Sequence, residues 1–184
     1  MDSKILVQGK FNARDIEIIF SDVEKRKIIP ELETKMEVLW EEKFLEMKQK
    51  GIRIWNGKNY RLNNFKVEHT KLILELGIIE YKFNSMMKLV AGFENLDSDF
   101  LAQGFFVCGL ICTSDNFFVF GNLSGVTPLS NFKKIDFIGG VAAPDEMEID
   151  CGEKLFGTML KELMEEINVS ENFIKDCYVM GWLS

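Results

Sequence analysis

The spacing of apolar residues along the chain changes from every second residue to every third or fourth after about the first 30 positions. Before that point, apolar and polar residues alternate, which predicts two short strands at residues 5–8 and 15–20 with a turn between them. After it, apolar residues recur on one helical face, at Leu32, Met36, Leu39, Trp40 and Phe44. Pro30 suits the first turn of a helix, so a helix is predicted over residues 31–48.

The middle of the chain predicts shorter elements. Residues 52–64 are rich in Asn and Gly, which favours a loop with a short extended piece. A hairpin is expected over residues 65–69 and 71–76, and a short helix over residues 81–90. The character of the sequence changes at residues 97–101, which predicts a boundary there.

We therefore expect an N-terminal α+β subdomain over residues 1–98 and a second domain over residues 99–184. Its first strand, residues 105–112, consists of apolar and small residues and is predicted to be buried on both faces. The further elements expected are a turn at 114–116, strands at 117–120, 134–138 and 177–183, a loop at 121–131, and a helix at 151–167. The fold class predicted from this pattern is α+β.

Composition and charge narrow the classes of partner. The chain has 184 residues, of which 47% are apolar, so it can bury a sizeable core. Twenty-two basic and 29 acidic residues give a net charge of −7, which argues against nucleic acid or an anionic membrane as the partner. The sequence contains no signal-peptide pattern and no apolar run of about 20 residues, the length that spans a membrane.

The cysteines and the histidine do not predict a zinc site or a disulfide framework. The four cysteines lack metal-ligand spacing, and the single histidine, His69, is remote from them in sequence. Cys108 and Cys112 are expected to be buried free thiols on one face of a strand. Free thiols are typical of a reducing compartment, so we expect a cytoplasmic location, with the nucleus as a further compartment.

Three carboxylates near the C-terminus form the strongest candidate site. On the predicted helix, Glu162, Glu165 and Glu166 stand at i, i+3 and i+4 and so share one face. Such close like charges repel one another unless a cation neutralises them, and hard oxygen ligands favour Mg²⁺ or Mn²⁺. The alternative is a solvated acidic face, and Glu153 has a structural alternative too, in a capping box with Asp150 as the N-cap.

The spacing of these residues resembles the Nudix box, a metal-binding motif of hydrolases that act on nucleoside diphosphate compounds. Glu153 is followed by seven residues and then by Lys161, Glu162 and the pair Glu165-Glu166. A glycine pair, Gly139-Gly140, precedes them at the end of a predicted strand.

The sequence departs from the Nudix pattern at three points. Lys161 stands where the pattern has arginine, and it keeps the charge but loses the planar guanidinium. Asn168 stands where the pattern has glycine, and Asn tolerates the left-handed conformation that is needed there. Twelve residues separate Gly140 from Glu153, where the pattern has five.

Further matches in the right order resemble the Nudix branch that hydrolyses UDP-glucose and UDP-galactose. They include Leu39-Trp40-Glu41, Tyr60-Arg61-Leu62, Leu76-Gly77-Ile78, Leu155-Phe156 and the stretch from Thr113 to Phe120. The resemblance implies Mg²⁺-dependent cleavage of a nucleoside diphosphate sugar to UMP and a sugar 1-phosphate. The alternatives are a catalytically silent Nudix module that binds a nucleotide or a protein, or hydrolysis of another diphosphate such as ADP-ribose or NADH.

The same resemblance implies a role for each site residue. Glu162, Glu165 and Glu166 are the expected metal ligands, with Glu166 or a metal-bound hydroxide on the base side of the reaction. Glu153 would orient the metal shell or bind a second ion, and Lys161 would hold one of the carboxylates. Gly139 and Gly140 would form the loop next to the phosphates.

Aromatic and basic residues upstream give weaker expectations about the base and the phosphates. Four aromatic side chains could stack on uracil, with core packing as the more frequent role of each: Trp40, Trp55, Tyr60 and Tyr81. Arg61 could contact a phosphate, with a surface salt bridge as the alternative.

The resemblance also implies an α/β/α sandwich with a mixed sheet, in which further elements follow the box helix. About 15 residues follow Val169, so the C-terminal part of that fold is expected to be missing. A terminal apolar strand at residues 177–183 would then be an open edge. We therefore expect a homodimer or incomplete activity.

Overall fold

The computed structural model of the protein describes residues 5–21, 23, 25–122 and 135–183. The chain folds as α+β, as the sequence predicts. In chain order the described strands and α-helices are β1 (Ile5–Phe11), β2 (Ile16–Phe20), α1 (Pro30–Gln49), β3 (Lys58–Glu68), β4 (Lys71–Glu80), α2 (Tyr81–Met86), β5 (Phe106–Gly109), β6 (Ile111–Cys112), β7 (Phe118–Val119), β8 (Gly121–Asn122), β9 (Ile135–Asp136), β10 (Ile138–Val141), α3 (Gly152–Ile167) and β11 (Val179–Leu183).

The N-terminal sheet has the strand order β2-β4-β3, with β4 in the centre. β4 pairs parallel with β2 and antiparallel with β3, and Leu76 lies opposite both Phe20 and Leu62. Most side chains of β4 are buried, because apolar residues occupy both of its faces. The sheet therefore separates two groups of buried side chains.

The first core combines side chains of this sheet with side chains of β1 and of the C-terminal elements. Its buried members are Val7, Phe11, Ile16, Tyr60, Leu62, Leu72, Leu74, Leu76, Phe105, Ala142, Ile149 and Leu155. Residues from both sides of the predicted boundary at 98 thus pack in one core, and the division into two domains stays a prediction.

The second core is built on α1, which confirms the helix predicted over residues 31–48. Pro30 occupies the first turn, and Leu32, Met36, Trp40 and Met47 are buried on one face. Of these, Leu32, Met36 and Trp40 pack with Ile79, Met86, Met87 and Ala102. Near the start of the helix, the buried guanidinium of Arg26 binds the carboxylate of Glu33 at 2.6 Å.

The strand predicted at residues 105–112 is not buried on both faces. β5 pairs antiparallel with β10, and α3 packs on one side, where a Cβ added to Gly109 would meet Met159. Side chains on the alternate positions are exposed, among them Cys108 and Cys112, so the prediction of buried thiols was wrong. The strand is also interrupted at Leu110.

Two strands differ from what the sequence predicts, one in where it begins and the other in its pairing. β3 begins at Lys58, inside the segment predicted as a loop, because its polar side chains alternate with Tyr60 and Leu62, which the first core buries. β11 pairs antiparallel with β1, so one edge of the terminal strand is satisfied within the chain.

Part of the predicted loop at residues 121–131 and the start of the predicted strand at Lys134 lie outside the described residues. Among the helices that the structure describes, none is long and apolar enough to cross a membrane.

Candidate functional site

Helix α3 presents the predicted carboxylates, and its ends are set by local backbone geometry. It ends at Asn168, which adopts the left-handed conformation (φ 55°, ψ 36°) expected for the residue that replaces glycine. The side chains of Leu155 and Leu163 on α3 are buried. The helix therefore lies fixed on the core with Glu165 and Glu166 outward.

The N-terminal end of α3 differs from the predicted capping box. Cys151, not Asp150, is the N-cap, and no side chain caps the helix. The carboxylate of Asp150 instead accepts a hydrogen bond from Lys154 at 2.7 Å, because the helix begins one residue later than a box built on Asp150 requires. Glu153 is exposed in the first turn, where a carboxylate interacts favourably with the helix dipole.

The three box carboxylates occupy one side of α3 in different environments. Glu162 is half-buried, whereas Glu165 and Glu166 are exposed. Burial, followed by the charges of Glu166 and Glu165, raises the pKa of Glu162 above its usual range. A cation near these groups would relieve that repulsion.

The glycine pair lies within strand β10 and not in the expected phosphate loop, and Gly140 lies beneath Glu162. Gly140 sits within β10, and a Cβ added to it would lie 2.6 Å from Cδ of Glu162. Gly139 has a φ of 156°, and a Cβ there would meet the main chain of Val107 and Cys108. The absence of side chains at both positions thus leaves room for the carboxylate and for the neighbouring strand.

Lys161 connects α3 with the segment between β10 and α3. Its Nζ lies 2.5 Å from Oε2 of Glu146 and 3.8 Å from Oε1 of Glu165. Lys161 therefore does contact one box carboxylate, but its shorter ion pair is with a residue that the sequence does not single out. Glu146 is one of several acidic residues in the lengthened loop, and no motif distinguishes it, so only the structure reveals this contact.

The donor chemistry of the box suits a hard divalent cation, although the side chains do not converge. Within residues 5–21, 23, 25–122 and 135–183, no three His, Cys, Asp or Glu side chains are grouped so that they could hold a metal. Glu165 and Glu166 are exposed and can change rotamer, and the space over Gly140 already holds the carboxylate of Glu162. Binding of Mg²⁺ by Glu162, Glu165 and Glu166 together would therefore require these side chains to change rotamer.

The structure excludes two of the four aromatic residues as candidates for stacking on a base. Tyr60 is 1% and Trp40 is 6% exposed, each within one of the two cores, so the stacking hypothesis is wrong for both. Tyr81 packs edge-on against Trp40, with ring centroids 6.0 Å apart. Trp55, at 68% exposure, is the candidate whose ring is open to a ligand.

Arg61 fits neither role that the sequence suggests for it. It is 3% exposed, and its guanidinium donates to Oδ1 of Asn63 at 2.5 Å and to the carbonyl of Leu101 at 3.1 Å. Arg61 is therefore not a surface residue, and these contacts tie β3 to the segment before β5.

The chain matches no protein-family model, and no relative was found among the curated proteins.

Proposed function

We propose that the chain is a Nudix-type hydrolase that cleaves a nucleoside diphosphate sugar with the help of Mg²⁺ or Mn²⁺. The observation that carries this proposal is the position of Glu162, half-buried over Gly140 on the helix that also bears Glu165 and Glu166. The raised pKa of Glu162 supports it, because a bound cation would compensate the unfavourable charge. The spacing of these residues to Glu153 and Lys161 provides the second line of support.

In the proposed reaction, a water molecule forms a bond to one phosphorus of UDP-glucose or UDP-galactose. The bridging P–O bond breaks, and the products are UMP and a sugar 1-phosphate. Glu162, Glu165 and Glu166 would bind the cation, and Glu166 or a hydroxide on the cation would take the proton of the attacking water. Mg²⁺ bound there would neutralise charge on the diphosphate.

The remaining residues would support this arrangement. Glu153, which is exposed in the first turn of α3, would orient the metal shell or bind a second ion. Lys161 would limit the movement of Glu165 through the ion pair described above. Gly140 would leave room for the carboxylate of Glu162 next to the phosphates. The cytoplasm, with the nucleus, is the compartment proposed for the enzyme.

The first test is turnover of a substrate panel by the purified chain with Mg²⁺. The panel contains UDP-glucose, UDP-galactose, ADP-ribose and NADH, and products are separated by chromatography. Glu166→Gln should lower kcat/KM by about 10²–10⁴, because it removes a carboxylate that acts in the transition state. Glu171→Gln, which alters an exposed glutamate just beyond the helix, is the matched control and should keep full activity.

The panel also separates the alternatives. Release of UMP from the two UDP-sugars alone supports the proposal. Cleavage of ADP-ribose or NADH in their place would assign another diphosphate to the same site. Failure to cleave any of the four would contradict an enzymatic role and favour a silent module that binds a nucleotide or a protein.

We also propose a second copy of this chain as a partner, on the basis of exposed phenylalanines in and beside the short C-terminal strands. Four phenylalanines there are between 41% and 58% exposed: Phe106, Phe118, Phe120 and Phe137. Phenylalanine offers about 200 Å² of side-chain surface, so these rings present about 400 Å² in total. Each partner of a standard interface buries about 800 Å², so the expected homodimer is weak.

A further inference from the structure

The phenol of Tyr60 contacts a segment of the chain almost 90 residues away. Its hydroxyl accepts a hydrogen bond from the amide of Ile149 at 2.8 Å and donates one to the carbonyl of Met147 at 3.2 Å. Both partners belong to the segment between β10 and α3. Because Tyr60 is only 1% exposed, water cannot easily replace its hydroxyl in these contacts.

The main chain of Tyr60 holds the other end of the same segment. Its amide donates to the carbonyl of Ala142 at 2.9 Å, and its carbonyl accepts from the amide of Phe105 at 2.8 Å. The amide of Ala142 in turn donates to the carbonyl of Phe105 at 3.2 Å. One residue of β3 thus fixes residues 142 and 147–149, which lie at the two ends of the segment.

That segment lies against the residues of the candidate site. It begins two residues after Gly140, and Glu146 in its middle forms the 2.5 Å ion pair with Lys161. The sulfur of Met147 accepts a hydrogen bond from Thr158 on α3 at 3.4 Å, and Ile149 is 1% exposed in the first core. A shift of the segment would therefore move Glu146, Lys161 and the start of α3 relative to Gly140.

We infer that Tyr60 is a positioning residue for the carboxylate site on α3, and that it acts through the 142–149 segment without contacting substrate. The inference rests on the proposed function, since it names what holds that site in place. The ring contributes to the core, whereas the hydroxyl sets the path of the segment. The hydroxyl can be removed alone, which makes the two contributions separable.

The test compares Tyr60→Phe with Tyr81→Phe in the full chain. Tyr81 is the matched control, because it loses the same hydroxyl from a half-buried ring whose oxygen has no hydrogen-bond partner among the described residues. Mn²⁺ is titrated into each protein and free Mn²⁺ is followed by electron paramagnetic resonance. We expect Tyr60→Phe to weaken Mn²⁺ binding about tenfold, as outer-shell changes at metal sites do, and Tyr81→Phe to leave it unchanged.

The dissociation constant distinguishes positioning from general loss of structure. Partial unfolding would lower the number of Mn²⁺ ions bound per chain without changing the affinity of the folded molecules. As a second readout, hydrogen exchange at the amide of Ile149 should become faster in Tyr60→Phe only.

The failure of this inference differs from the failure of the proposed function. Wild-type affinity for Mn²⁺ in Tyr60→Phe would overturn the positioning role alone. A wild-type protein that binds no Mn²⁺ would overturn the proposed metal site, and the positioning role with it.

Discussion

At Glu162, burial opposes the charge of the carboxylate. It is half-buried, and two further carboxylates lie three and four residues along the same helix. The nearby cation, Lys161, makes its shortest contact with Glu146 instead. The pKa of Glu162 is consequently raised, which means that the folded protein binds a proton there more readily than the unfolded chain does.

The raised pKa of Glu162 determines how the stability of Glu162→Gln, relative to the wild type, should depend on pH without metal. A raised folded-state pKa costs stability as the pH rises through it, whereas below the unfolded-state pKa, at about pH 4, no such cost exists. At pH 7 the variant should therefore be more stable than the wild type, by about 0.5 kcal/mol from relief of like-charge pairs on one helix face. At pH 3.5 the two proteins should have equal free energies of unfolding in urea.

With saturating Mg²⁺ at pH 7, the wild type should be more stable than Glu162→Gln, because it gains a free energy of Mg²⁺ binding that the variant lacks. If Glu162→Gln were less stable than the wild type at pH 7 without metal, the proposed electrostatic cost would be wrong.

At the scale of elements, the site depends on how closely α3 approaches β10. Gly140 permits this approach, because any side chain there would overlap the carboxylate of Glu162. Gly157, on α3 itself, has room for a methyl group, with the nearest atom, Sδ of Met147, at 3.4 Å. A side chain would thus clash at Gly140 but fit at Gly157, so the two glycines make a matched pair of positions for substitution.

Gly140→Ala should displace the carboxylate of Glu162 and weaken Mn²⁺ binding about tenfold, while the fold remains intact. Gly157→Ala should leave Mn²⁺ binding unchanged and raise the free energy of unfolding by up to about 1 kcal/mol, because alanine favours a helix. Mn²⁺ titration and urea unfolding of both variants provide the measurements. Equal Mn²⁺ affinity in the two variants would contradict the role of Gly140.

Elements with regularly spaced apolar residues were predictable from the sequence, whereas contacts between residues far apart in the sequence were not. The spans of α1 and α3 follow from apolar residues at steps of three and four, which local backbone geometry dictates. The start of β3 could not be predicted, since Asn and Gly favour a loop locally and its partners on β4 lie farther along the chain. Likewise, no local pattern predicts that Tyr60 contacts Met147 and Ile149.

The candidate site was predictable only in part, for the same reason. The spacing of the glutamates on α3 is local, so their shared face could be derived from the sequence. The approach of Gly140 to Glu162 and the ion pair of Lys161 with Glu146 depend on the path of the lengthened segment between β10 and α3. That path is fixed by contacts with β3, which the sequence does not reveal.

At the scale of the whole molecule, the two faces of the C-terminal strands differ in how they are covered. One face packs against α3 and the first core, while the alternate side chains are exposed. Exposed apolar patches of several hundred Å² are typical of interaction surfaces. The expected homodimer follows from this contrast.

Sedimentation velocity should therefore show weak, concentration-dependent self-association of the wild-type chain. Phe118→Asp, which places a charge among the exposed phenylalanines of the C-terminal strands, should sediment as a monomer at every concentration. Phe173→Asp is the control, because Phe173 is 79% exposed but lies outside these strands, and it should associate like the wild type. A wild-type chain that stays monomeric at concentrations of roughly 100 μM would contradict the dimer proposed on area grounds.

The most direct measurement of the central claim is cleavage of UDP-glucose with Mg²⁺ in water enriched in ¹⁸O, followed by mass spectrometry of the products. Attack of water on one phosphorus predicts UMP and glucose 1-phosphate in equal amounts, with one ¹⁸O atom per cleavage in one of the two products only. The reaction should stop when Mg²⁺ is chelated and should be lost in Glu166→Gln. Intact UDP-glucose after prolonged incubation, or cleavage that continues without a divalent cation, would contradict the proposed function.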